Sequence, residues 1–342
     1  MKQDTNIINA KSIDCQSSKA FANLRAPLIV CVIFIHATGS GLIKPLADDA
    51  SMYNLIRVLL STVLTQVAVP TFFVISSYLF FWGVDPFTRD IYRQKLKKRF
   101  TSVFVPYLIF VGLSLVIICA GKFVHHNPLC LNLDLINKGV FSYHLWYIRE
   151  LMLFFFLSPL IYVFVQNKLR GAIVLFVLVA MYVLDPRSNT EPFSSQALLF
   201  CTFGSYMSYH RIDLIPTLQQ YRCIFVVTSS VLLMVLLYGY FRELNLADYV
   251  FSLFIISGVL SALALGEFIK LTAVLGKSSF FVYLTHVYMI PVTALIYSFL
   301  GIGGIMAYLS RPFVIYGLCT LLYMCFQKFM PEVLALLTGN RN

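Results

Sequence analysis

Apolar residues fill long, nearly unbroken runs from one end of the chain to the other, and short polar segments divide them. As a helix, a run of about 18 or more apolar residues is long enough to cross the hydrocarbon core of a bilayer. The pattern predicts ten helices, over 21–39, 54–82, 103–123, 145–166, 171–184, 195–209, 223–241, 249–268, 279–299 and 312–330. The fifth and sixth are the shortest. The second carries Pro70 in mid-run, which predicts a kink or break there. The expected architecture is therefore all-α and polytopic: a polar segment over 1–20, a transmembrane domain over 21–330 and a short tail over 331–342. The opening residues lack the charged, apolar and small-residue order of a cleaved signal, so the first helix is expected to remain as a span. No internal repeat is evident, which argues mildly against carrier folds built from two related halves.

Composition sharpens this picture. Of the 342 residues, 59% are hydrophobic and 12% charged, against about 45–50% and about 25% in soluble domains. The net charge of +11 invites a nucleic-acid reading, but its distribution speaks against one. With the N-terminus inside, seventeen Lys and Arg fall in cytosolic segments and six in external ones. That is the bias of a protein with both termini in the cytosol, and the partner it implies is membrane lipid rather than nucleic acid. The eight cysteines are scattered, with no CxxC or Cys/His spacing for a metal or a disulfide framework. No metal is expected.

A charge inside a membrane span costs from about 3 kcal/mol upward on insertion scales, so each such residue is a candidate for function. Arg25 and His36 lie eleven residues apart in FANLRAPLIVCVIFIHATGS. Eleven residues make almost three whole turns, so both share one face, about 16 Å apart along the axis. Arginine grips phosphate by paired hydrogen bonds, and histidine serves near neutral pH as a general base or an acyl acceptor. The plainer alternative is a snorkelling arginine and a histidine bonded to a neighbouring helix. The run RDIYRQKLKKRF holds Arg93, Lys95, Lys98 and Arg99 among six basic residues. It reads as a topogenic cluster at the headgroups and also as a landing site for the phosphates of a nucleotide-like donor. In HLWYIREL, Arg149 and Glu150 enter an apolar stretch together, with Trp146 and Tyr147 suited to the interfacial belt. Adjacent residues point about 100° apart on a helix, so each is expected to find its partner on another helix. Glu150 is a candidate to charge or orient His36, or to pair structurally with Arg149 or Arg57. In LGKSSFFVYLTHVYM, Lys277 marks the cytosolic end while Tyr283 and His286 share a face inside the span. The His125–His126 pair reads as solvated in an external loop.

Taken in order, these segments resemble the membrane acyltransferase-3 family of bacterial O-acyltransferases. LRAPLIVCVIFIHA resembles its Arg-then-ten-then-His signature, on Arg25 and His36. VPTFFVISSYLF, KKRFTSVFVPYL, HLWYIREL, LGKSSFFVYLTH and KFMPEVLALLTGNR resemble its further segments. One departure stands out: where the family often has Ser-Gly, this chain has Ser76–Ser77. The resemblance implies a multi-pass protein of the bacterial inner membrane that takes an acyl group, acetyl being the expected one, from cytosolic acyl-CoA. The recipient would be a hydroxyl of a cell-surface glycan or its lipid-linked precursor. It places Arg25 and His36 at the centre of catalysis. The residues themselves add Glu150 as a candidate to stabilise the imidazolium, Arg25, Arg93, Lys95, Lys98, Arg99 and Lys277 as candidate donor contacts, and Ser76, Trp146, Arg149, Tyr283 and His286 as candidate support. A transporter or flippase for a lipid-linked sugar is the competing expectation from the residues alone.

Overall fold

The computed structural model describes residues 13, 15–38, 43–124, 145–185, 194–269 and 273–340. His125–His126, and His144 at the head of HLWYIREL, lie outside these residues. Among the described residues every regular element is helical. The helices are α1 (Cys15–His36), α2 (Met52–Phe81), α3 (Arg89–Arg99), α4 (Val105–Val124), α5 (Trp146–Val165), α6 (Lys168–Leu184) and α7 (Ser195–Tyr209). They continue as α8 (Leu214–Gln219), α9 (Arg222–Phe241), α10 (Ala247–Leu265), α11 (Ala273–Phe299), α12 (Gly304–Phe329) and α13 (Pro331–Thr338).

The protein is an all-α, multi-pass membrane protein. All ten expected stretches fall on helices, and eight helices among the described residues are long and apolar enough to cross a bilayer. The two expected spans outside that set are α6 and α7, with 17 and 15 residues. At 1.5 Å per residue they reach about 26 and 22 Å, short of a hydrocarbon core of about 30 Å. Large apolar side chains such as Phe176, Met234, Phe299 and Phe313 stand exposed on the outside of the bundle, where lipid is their natural solvent.

The irregularity expected at Pro70 lies upstream of it. Within α2 the ladder passes through a π-helical segment, Val58–Val63, and a 3₁₀ segment, Leu64–Val67, before α-helix resumes at Ala68. Pro70 then sits in the first turn of the renewed helix, where a missing N–H is tolerated. A second π segment, Phe100–Phe104, joins α3 to α4, so the basic run is helical and nearly continuous with the following span.

The first helix is the hub. It packs against α2, α8, α10, α11 and α12. The most extensive helix pairing is α2 with α7, and its closeness has a visible cause. A Cβ on Gly204 would meet the Ser77 side chain and come within 2.5 Å of the Val74 carbonyl oxygen. Ser77 is fully buried and donates to Phe73 O at 2.8 Å. One turn along, Ser208 Oγ donates to Tyr78 O at 2.7 Å. Small residues four apart on one face let two helix backbones approach closely. Ser77, which stands where the resembled family often has glycine, is thus accommodated by a glycine on the facing helix. The segment after 330, expected to be a tail, forms α13 and packs on α4, α11 and α12. Its cap Gly339 has φ +65° and rests against the backbone of Ser102, leaving no room for a Cβ.

Overpacking a close crossing costs about 1–3 kcal/mol. Gly204→Ala is therefore expected to lower the unfolding temperature of the detergent-solubilised protein. Ser77→Gly added to it should restore only part of the loss, because the Val74 carbonyl remains in the way.

Candidate active site

A cavity of about 380 Å³ is enclosed by five helices. From α1 it is lined by Arg25 and Ile29, and from α2 by Phe72, Ile75, Ser76 and Leu79. Arg99 ends α3 in its wall, followed by Val103 of the π segment. The face of α5 that repeats at helical spacing contributes Tyr147, Ile148, Leu151 and Phe155. From α11 come Gly276, Lys277, Ser279, Phe280 and Tyr283. The cavity has two chemically distinct ends. By their places along α1, α3 and α11, Arg25, Arg99 and Lys277 fall toward one. At the other, the Tyr147 hydroxyl lies 2.9 Å from Ser76 Oγ, and the Tyr147 and Tyr283 rings meet edge to face at 5.9 Å. Leu79 to Phe72 along α2, and Gly276 to Tyr283 along α11, both span about 10 Å.

The basic run divides its labour by helical face. Lys95, Lys98 and Arg99, at i, i+3 and i+4, border an adjoining crevice of about 350 Å³ that shares Leu79 and Arg99 with the main cavity. Arg99 lies over the Phe155 ring at 5.4 Å. The Lys95 ammonium donates to Phe80 O and, at 3.2 Å, to Trp82 O. It therefore neutralises the negative end of α2 while bordering the crevice. Arg93 is exposed and borders neither space. The ion pairs among the described residues, Arg149–Glu150 at 3.3 Å and Arg211–Asp85 at 3.9 Å, do not involve the cations of the cavity.

Beyond the tyrosine end lies the histidine of α1. Tyr283 and His286 have ring centres 6.0 Å apart, and His286 and His36 5.4 Å apart. The stripe of Arg25 and Ile29 along α1 leads on to His36 two turns further. His36 itself does not line the cavity; it stands behind Tyr283 and His286. The end of α1 that carries it is clamped. Ser61 Oγ, on the π segment of α2, donates to Phe34 O at 2.8 Å and lies 2.7 Å from the Tyr308 hydroxyl. The irregular stretch of α2 thus sets the position of the histidine.

Two expectations about α5 change. Arg149 and Glu150 pair with each other: Nε and Nη2 both lie 3.3 Å from Glu150 Oε1. The 100° offset is bridged because the arginine side chain is long enough to curl around the first turn. Glu150 is 2% exposed and borders a narrow crevice with Ala197 and Cys201 of α7, not the main cavity. Trp146 packs edge to face on Phe73 at 6.2 Å. It is the neighbouring Tyr147, assigned from sequence to the interfacial belt, that reaches into the cavity. The repeat of Tyr147, Leu151 and Phe155 at four-residue spacing was the available signal.

Residues 19–326 match the profile of a family described as an acyltransferase domain, acyltransferase-3. This chain belongs to the acyltransferase-3 family. The enzyme is also similar to the succinoglycan biosynthesis protein ExoH of Rhizobium meliloti (strain 1021). The two are 24% identical over 354 residues, covering 96% of this chain and 94% of the relative. No solved structure matches. The protein is therefore a membrane acyltransferase.

The Tyr147–Ser76 bond closes the floor of the acyltransferase's cavity. A hydrogen bond of this kind contributes about 0.5–1.5 kcal/mol. Tyr147→Phe and Ser76→Ala are each expected to lower unfolding stability in detergent by that amount. The double variant should lose little more than either single one, as for partners in one bond.

Proposed function

We propose that this acyltransferase moves an acyl group, acetyl in the first instance, from acyl-CoA to a hydroxyl of a cell-surface glycan or its lipid-linked precursor. Its setting is the bacterial inner membrane, with the cationic end of the cavity facing the cytosol. The observation that carries this reading is the order of groups along one path. Arg25, Arg99 and Lys277 fall toward one end of the cavity, hydroxyls and aromatic rings form its floor, and His36 stands just behind.

That order suits the donor's chemistry. CoA carries its phosphates at one end and its thioester at the end of a long pantetheine arm. Guanidinium and ammonium groups bind phosphate, and Lys98 extends the positive surface into the adjoining crevice. The arm then points along α1 toward His36, about 16 Å from Arg25, and reaches it when the Tyr283 and His286 side chains that stand between turn aside. His36 takes the proton of the acceptor hydroxyl as it attacks the thioester carbonyl, or receives the acyl group first. Burial makes either role more effective by excluding water as a competing acceptor. Tyr283 and Ser76 supply hydroxyls near the path for the developing oxyanion. A glycan acceptor is supported by the relative's place in succinoglycan biosynthesis.

The test uses membranes or purified protein with labelled acetyl-CoA, and mass spectrometry of envelope glycans. His36→Ala should abolish labelled product while the protein still inserts and accumulates; normal product from it refutes the assigned centre. Arg25→Ala should raise the donor concentration needed for half-maximal rate about tenfold or more, the loss of one charged phosphate contact.

A further inference from the structure

We infer that Gly339, the cap of α13, is a positioning residue for Arg99. It seats the π segment Phe100–Phe104 and thereby sets where the basic end of α3 meets an anionic donor. This rests on the donor contact proposed above for Arg99 and goes one step behind it.

Helix α13 closes on Gly339, whose N–H returns to Ala335 O with φ at +65°. Asn340 N donates to the same oxygen at 2.8 Å. Glycine adopts this left-handed cap without strain, but asparagine is tolerated at such caps as well. The cap alone therefore does not demand glycine. Its neighbour does. A Cβ at 339 would lie 2.7 Å from both the carbonyl carbon and the oxygen of Ser102, and closer still to its Cα. These are main-chain atoms, with no rotamer by which to move aside. Nor is α13 loosely held. Leu334 is fully buried in one cluster with Phe281 of α11 and Tyr323 of α12. Thr338, also buried, donates to Leu334 O at 2.7 Å.

The segment that Gly339 touches forms cavity wall on another side. Val103, the residue after Ser102, and Arg99, three before it, both line the cavity. Phe100 N–H bonds to Leu96 O and Lys97 O, so the last turn of α3 runs into the π segment without a break. π-helical turns are rare and short, and are frequent at functional sites. Here one is pressed by a neighbouring main chain on its outer side while its inner side faces the cavity. The Arg99 guanidinium rests over the Phe155 ring at 5.4 Å, which holds the tip of the side chain. The height and rotation of its Cα follow Ser102, one turn on. A shift at Ser102 is therefore carried back to Arg99 and, through the same turn, to Lys98 at the adjoining crevice.

Two substitutions at the cap separate seating from helix capping. Gly339→Asn keeps the left-handed backbone accessible and adds the Cβ; Gly339→Ala adds the Cβ and backbone strain together. CoA affinity is measured by titration of the purified protein in detergent, and hydrogen exchange over 99–104 by mass spectrometry. Both variants should bind CoA about fivefold more weakly, within the range by which residues remote from a ligand modulate its binding, and should exchange faster over 99–104. Leu236→Ala, in a buried position of α9 outside the cavity wall, serves as a destabilised control, and its CoA affinity should stay within twofold of the parent. Parent-like affinity of Gly339→Asn, parent-like exchange over 99–104, or an equal loss of affinity in Leu236→Ala overturns the inference. In a background of Arg99→Ala, Gly339→Asn should weaken CoA binding no further; fully additive losses rule out Arg99 as the link. Parent-like CoA affinity of Arg99→Ala itself is a different failure: it removes the donor contact assigned to Arg99, and the positioning role falls with it.

Discussion

A guanidinium placed inside an apolar helix has nowhere to go in hydrocarbon, and much of this structure follows from Arg25. The charge must face either the interior of the bundle or an aqueous mouth. Helix α1 meets that demand by sitting at the hub, surrounded by α2, α8, α10, α11 and α12, with Arg25 turned into the shared cavity. Because the helix repeats nearly in phase every eleven residues, the same constraint turns His36 inward as well. One placement therefore turns both polar side chains of α1 toward the interior of the bundle.

Within the cavity the cations fall toward one end, and the hydroxyls and rings toward the other. Lys95 belongs to neither end: its bonds to Phe80 O and Trp82 O hold the basic helix against the terminus of α2, and so aim Arg99 at the cavity.

Much of this was legible in the sequence, because the signals were local. Hydrophobic runs gave the spans, and the family-like segments pointed to Arg25, Ser76, Arg99, Lys277 and Tyr283, all of which line the cavity. What was not legible depended on side-chain reach or on contacts between distant segments. Helical spacing alone argued against the Arg149–Glu150 pair, which exists because arginine is long. Pro70 pointed to a break at its own position, yet the irregular turns lie before it, where Ser61 secures Phe34 O. Trp146 and Tyr147 are equally plausible interfacial residues from composition, and only the rotation of α5 distinguishes them. His36 and His286 were both conspicuous, but 250 residues separate them in sequence and nothing local announces that their rings meet.

The Gly204 seam between α2 and α7 has a mechanical consequence. There the two helices touch backbone to backbone, with no side-chain layer to compress, and Ser208 bolts them through Tyr78 O. A load applied inside the cavity therefore meets a stiff wall along α2. Across the cavity, Gly276 of α11 also lies close to α1, where a Cβ would come within 3.5 Å of Ala22 O, so the give must come from the side chains that line the space, such as Phe155 and Phe280, rather than from either seam.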